Sequence, residues 1–136
     1  MRNRTLVEDY LKRARHRLYA LDTLYERQSW ADVVREAQEI VELALKALLR
    51  HARIEVPQIH DVGPILKDHA GRLPSLSAKE IGELVAISKA LRRDRELSFY
   101  GSEDLTPSEF YEEADAAQAR EQARKVVDTA ESVFKP

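Results

Sequence analysis

Between Lys89 and Tyr100 the sequence places four cations, Lys89, Arg92, Arg93 and Arg95, directly ahead of the rings of Phe99 and Tyr100. An arginine fork matches a phosphate group through paired N–H donors, and an aromatic ring offers a face on which a base can stack. Arg92, Arg93, Arg95, Ser98 and Tyr100 are therefore the candidate nucleotide- or RNA-binding residues. A plainer account competes with this one. Cations at the end of a helix offset its negative pole, and clustered arginines often serve ordinary ion pairing. Four cations in so short a stretch exceed what capping needs. Each helical step turns about 100°, so Arg92 and Arg95 share a side while Arg93 is turned away from Arg92. One or two of them should face a groove, with another held by Asp94, Glu96 or Glu103.

Other residue sets carry weaker chemistry. His51, His60 and His69 recur at equal spacing, but Pro57, Pro64 and Gly71 interrupt any helix that could align them. No H-E-x-x-H step supports a metal, so no metal site is expected. His60-Asp61 reads instead as a cap, the aspartate accepting first-turn amides of a short helix. Glu112, Glu113 and Asp115 look like a solvated face near a helix start. Glu42 and Lys46 are spaced as an ion pair one helical turn apart, worth a few tenths of a kcal/mol, roughly, if exposed. A glycine-rich phosphate loop, a nucleophile elbow and a kinase signature are all missing, and no cofactor is expected.

The elements that must position these residues are helical. From about Thr5 to Glu26 apolar residues recur in three- and four-residue steps through Leu6, Tyr10, Ala14, Leu18, Leu21 and Tyr25. In the next stretch Trp30, Val33, Val34, Ala37, Ile40, Val41, Ala44, Leu45, Leu48 and Leu49 form one broad face, wide enough for a central helix. Ser29 can cap it through its hydroxyl, with Asp32 favouring the positive end. Pro57 closes that region, and a short helix follows between breakers. Ser77 and Glu80 form a capping box ahead of a helix that carries Ile81, Leu84, Val85, Ser88 and Leu91 on one side. Thr106 and Glu109 form another, with Pro107 at the first helical position. The last helix then runs to about Phe134 with Phe110, Ala114, Ala117, Val127 and Ala130 inward. Asp94–Leu105 reads as a loop and as the least regular segment. No segment alternates with period two. The expected fold is all-α, an antiparallel up-and-down bundle of four to five helices forming one domain over residues 1–136.

Composition narrows the classes further. Twenty-two basic residues stand against 24 acidic ones, a net charge of −2, which argues against coating nucleic acid by bulk charge and leaves room for a local basic site. There is no cysteine, which removes disulfides, thiolate metal sites and a cysteine nucleophile. No apolar run approaches a membrane span and the first residues are charged throughout, so a cytoplasmic location without membrane association is expected.

Trp30, Gln38, Glu42, Lys46, His60 and Asp61 together form a pattern that resembles HEPN domains, the nucleotide-binding domains of higher eukaryotes and prokaryotes. The second helix and following loop of that family typically show a small or aromatic start, a mid-helix Gln, a Glu-x-x-x-Lys step and a His-Asp pair. The stretch from Ser98 to Phe134 is similar to the family's tyrosine-containing loop and last helix. The resemblance covers most of the chain and adds Lys46, His60 and Asp61 as supporting site residues.

The resemblance implies a homodimer, association with a minimal nucleotidyltransferase in a toxin–antitoxin-type pair, and binding of nucleotide or RNA. Other family members are metal-independent ribonucleases. In those an arginine near the end of the third long helix is followed four to six residues later by a histidine. The arginine steadies the scissile phosphate, and the histidine moves a proton while the RNA 2′-hydroxyl attacks. Here Arg92, Arg93 or Arg95 fills the arginine position, but His69 is the last histidine in the chain. Ser98, Phe99 and Tyr100 stand where the imidazole should be, and neither hydroxyl titrates near neutrality. The expectation is a binding module rather than an enzyme. A divergent ribonuclease toxin and a purely structural dimeric interaction protein stay open as rivals.

Overall fold

The computed structural model describes residues 2–55, 62–100 and 106–134, with the side chains of residues 93–99 outside the description. Four long helices carry the fold: α1 (Arg2–Glu26), α2 (Trp30–His51), α4 (Ala78–Tyr100) and α6 (Glu113–Phe134). Two short ones, α3 (Gly63–Asp68) and α5 (Pro107–Phe110), and a 3₁₀ turn at Ala70–Arg72 complete it, and there is no strand among the described residues. The all-α expectation holds.

Helix α2 is central because its apolar face is wide enough to meet three neighbours: α1, α4 and α6 all pack on it. Its Val33, Ala37, Ile40, Ala44, Leu45 and Leu49 are fully buried. They join Leu21 of α1, Leu66 of α3, Leu84 of α4 and Val126 of α6 in one core. Trp30 sits at the edge of that core rather than inside it, half-buried, its ring edge-on to Tyr25 at 5.1 Å between centroids.

Backbone closure explains where the helices stop. Gln28 and Arg53 each take a left-handed conformation (φ of 60° and 59°), allowing Ser29 N to donate to Leu24 O and Ile54 N to Leu49 O. Ile54 is then buried against the end of α2, the apolar contact that usually completes such a cap. The Ser77–Glu80 box is present, with Glu80 N donating to Ser77 Oγ at 3.1 Å and Ser77 N to Glu80 Oε1 at 3.0 Å.

Several expectations are corrected. Ser29 does not accept a first-turn amide; its hydroxyl donates to Asp32 Oδ2 at 2.6 Å, so the acidic side chain consumes the cap. Helix α4 continues to Tyr100 instead of giving way to a loop at Asp94. Arginine, glutamate and leucine are all good helix formers, and neither glycine nor proline intervenes before Gly101. The last helix is two helices. Tyr111 is extended (φ −100°, ψ 138°), and Glu112 N donates to Asp115 Oδ2 at 2.9 Å as α6 restarts. This break shifts the register: Tyr111, Ala116 and Ala119 are buried, whereas Phe110 and Ala114 are exposed and Ala117 is half-buried. No helix among the described residues is long and apolar enough to cross a membrane.

Candidate functional site

The C-terminal half of α4 carries the candidate residues. Leu91 is 3% exposed and anchors the helix to the core, and the next residue, Arg92, is exposed. Tyr100, also on α4, is 73% exposed. Along an unbroken helix the two lie about 12 Å apart, roughly two nucleotide steps. Arg93, Arg95 and Ser98 belong to the same helical backbone, but their side chains lie outside the described residues, as do those of Asp94 and Glu96, the expected arginine partners. Glu103 lies outside as well.

Just inside Arg92, a cavity of about 170 Å³ is lined by Val34, Leu91, Tyr111, Asp115, Gln118 and Gln122. Its wall is polar where α6 contributes and apolar where α2 and α4 meet. Tyr111 is 5% exposed, while its neighbour Phe110 is 43% exposed, the two rings edge-to-face at 5.1 Å. Phe110 thus offers a ring at this end of the bundle that sequence reasoning assigned to the core. The signal that could have found it is the second acidic start at Glu112–Asp115. Two helix N-termini so close together leave room for one turn only, held by Thr106 Oγ1 accepting from Glu109 N at 3.3 Å.

Lys46 is placed elsewhere. Its Nζ lies 2.9 Å from Glu42 Oε1, and Glu42 Oε2 accepts from Gln38 Nε2 at 3.1 Å. Gln38 and Glu42 are 3% and 9% exposed, so the pair expected from the spacing is present as part of a largely buried polar ladder along the central helix. Lys46 stands about 18 Å along α2 from Val34, so the structure does not bring it to Arg92. His60 and Asp61 lie outside the described residues, and with them the cap expected for the short helix. His69 Nδ1 is 3.0 Å from the Ile65 carbonyl oxygen, and His51 packs edge-on to Phe134. Among the described residues no group of three or more histidine and carboxylate side chains could hold a metal ion.

No curated protein and no solved structure matches the chain. The HEPN domain family model matches residues 7–135, nearly the whole chain. The match includes α2 with its Gln38–Glu42–Lys46 ladder, α4 with Arg92 and Tyr100, and all of α6. The helical bundle and the family match agree, and the chain belongs to the HEPN domain family, whose members are nucleotide- and RNA-binding modules.

Proposed function

We propose that this HEPN domain reads a nucleotide or RNA ligand with the C-terminal half of α4. The observation that carries the reading is the exposure of Arg92 and Tyr100 on one unbroken helix, whose Ala90 and Leu91, just before Arg92, line a partly polar cavity. Arg92, with Arg93 and Arg95, supplies phosphate contacts; Ser98 adds a hydroxyl; Tyr100 supplies a stacking face. Phe110, on the short helix α5 packed against α4, presents a further exposed ring.

The module works in the cytoplasm as a homodimer beside a minimal nucleotidyltransferase, in a toxin–antitoxin-type pair. Family membership supports this reading, since HEPN domains are often dimeric, and so do the exposed Tyr19 and Tyr100, because aromatic residues are enriched at interfaces. Helix α2 does not supply the interface, its broad apolar face being taken up by α1, α4 and α6. RNA is bound and not cut, because no histidine follows His69.

Replacing Arg92 and Arg95 by alanine tests the site. Binding should weaken and lose part of its salt dependence, because each phosphate contact releases counterions, while the melting temperature stays the same. A double variant that unfolds while binding per folded molecule stays constant would make these arginines structural and remove the assignment. Co-purification from the native host should recover a nucleotidyltransferase. Light scattering should give about twice the chain mass of 15.6 kDa, and a monomer mass at micromolar concentration would remove the dimer.

A further inference from the structure

At the far end of the bundle a second surface has the chemistry of a nucleic-acid path. A cleft of about 490 Å³ between α1 and the last turns of α6 is lined by Arg4, Lys12, Arg15, His16, Glu131 and Phe134, among others. A cavity of about 320 Å³ adjoins it, sharing Arg4 and Phe134 and reaching His51 and Arg53. His51 lies about 25 Å along α2 from Val34, so these cavities are remote from Arg92.

The charge here runs against the rest of the chain. Arg4, Lys12, Arg15 and Arg53 line these two cavities together with two carboxylates, Glu8 and Glu131, on a chain whose net charge is −2. Both carboxylates are already engaged: Arg4 Nε is 3.1 Å from Glu8 Oε1, and Arg15 holds Glu131 together with Asp128. These two carboxylate hydrogen bonds push the Arg15 guanidinium above its ordinary range, so it stays charged. Lys12 and Arg53 are exposed, and no carboxylate among the described residues pairs with either. Between them stands the Phe134 ring, with Arg4 Cζ 5.4 Å from its centroid and the His51 ring nearly perpendicular at 5.6 Å.

We propose that this cleft is a second binding surface that takes a single-stranded nucleic acid segment. Lys12 forms one cationic station, with His16 beside it as a hydrogen-bonding group, and Arg53, near His51, forms another, for phosphates on either side of a base that packs against Phe134. Cationic stations interleaved with an aromatic ring are the general means of holding a single strand. Bulk attraction is weak on a chain of net charge −2, so a local cluster of this kind has to supply the phosphate contacts. The inference does not rest on Arg92 and can fail separately from it.

The test measures fluorescence anisotropy of a labelled short oligouridylate against the full chain at several salt concentrations. The Lys12→Gln, Arg53→Gln double variant should bind about tenfold more weakly at low salt, with a log–log salt slope shallower by about 1.4 for two lost phosphate contacts. Phe134→Leu should weaken binding without changing that slope, and the charge-conserving Lys12→Arg, Arg53→Lys chain should bind like the wild type. A double variant with wild-type affinity and slope overturns the proposal. So does an Arg92→Ala chain that binds no strand at all, a result that would leave the α4 reading standing. Loss of binding confined to the cleft variants supports the cleft and removes the α4 site.

Discussion

Lys46 and Glu42, one turn apart on the central helix, form an ion pair of 2.9 Å in which the carboxylate is 90% or more buried and also takes the Gln38 amide. Such a pair differs from its exposed counterpart in what happens when one partner goes. Removing the lysine takes a cationic partner from a buried carboxylate, which is costlier than losing a screened surface contact. Lys46→Ala should therefore destabilise the fold by about 1–3 kcal/mol in denaturant unfolding. Adding Glu42→Gln should recover part of the loss, since a neutral amide tolerates the site better. Additive losses would show that the two side chains act independently.

Gln28 ends α1 in a left-handed conformation that costs a side-chain-bearing residue and suits glycine. Its amide donates to Tyr25 O at 2.9 Å, and this bond does not need the side chain. Gln28→Gly should consequently stabilise the protein by about 0.5–1 kcal/mol, even though glycine also gains freedom in the unfolded chain. A lower melting temperature would mean that the glutamine side chain makes a contact that outweighs the strain.

Lys125 Nζ on α6 lies 2.5 Å from Glu83 Oε2 on α4. The hydrogen bond from Lys125, more than simple charge attraction, holds the Glu83 carboxyl below its ordinary value. A carboxyl whose folded pKa is depressed contributes stability above its unfolded pKa and loses that contribution as pH falls through the folded pKa. Replacing Lys125 by methionine should raise the Glu83 midpoint toward the ordinary carboxylate value in a carboxyl-carbon NMR titration. The acid side of the stability curve should become less steep. An unmoved midpoint would show that the pair is not formed in solution.

The long helices were legible because their signals repeat. The broad stripe from Val33 to Leu49 and the Ser77–Glu80 box each restate one answer over several turns, and the structure agrees. Single-residue choices were less legible. Ser29 looked like a cap until Asp32 took its hydroxyl, and Phe110 looked internal until one extended residue, Tyr111, turned the register. The end of α4 was less legible because its clustered charges suit a helix terminus as well as a continuing helix of good formers. The candidate site was legible as residue types, since Arg92 and Tyr100 are exposed. Its proximity to Phe110 depended on where α5 ends, which no period in the sequence records. The far cleft was not legible at all, because Lys12, Arg53 and Phe134 come from three helix regions that only the packing of α1, α2 and α6 brings together.

The ribonuclease question can be settled by supplying what the sequence lacks. Family ribonucleases place a histidine four to six residues after the arginine, and here Leu97, Ser98 and Phe99 occupy that interval after Arg93. A 2′-hydroxyl attack needs a group that gives and takes a proton near neutrality, which an imidazole does and serine or phenylalanine does not. The wild-type chain should accordingly leave RNA intact in the presence of a chelator. Because α4 is helical through this interval, a histidine at position 98 or 99 would stand on the same rigid rod as the arginines. Ser98→His or Phe99→His should then produce metal-independent cleavage, and adding Arg93→Ala should abolish it. Wild-type cleavage that resists chelation and disappears with Arg93→Ala would restore the enzyme reading. Failure of both histidine variants to cleave, with RNA binding retained, would mean that the site differs from a ribonuclease in more than one residue.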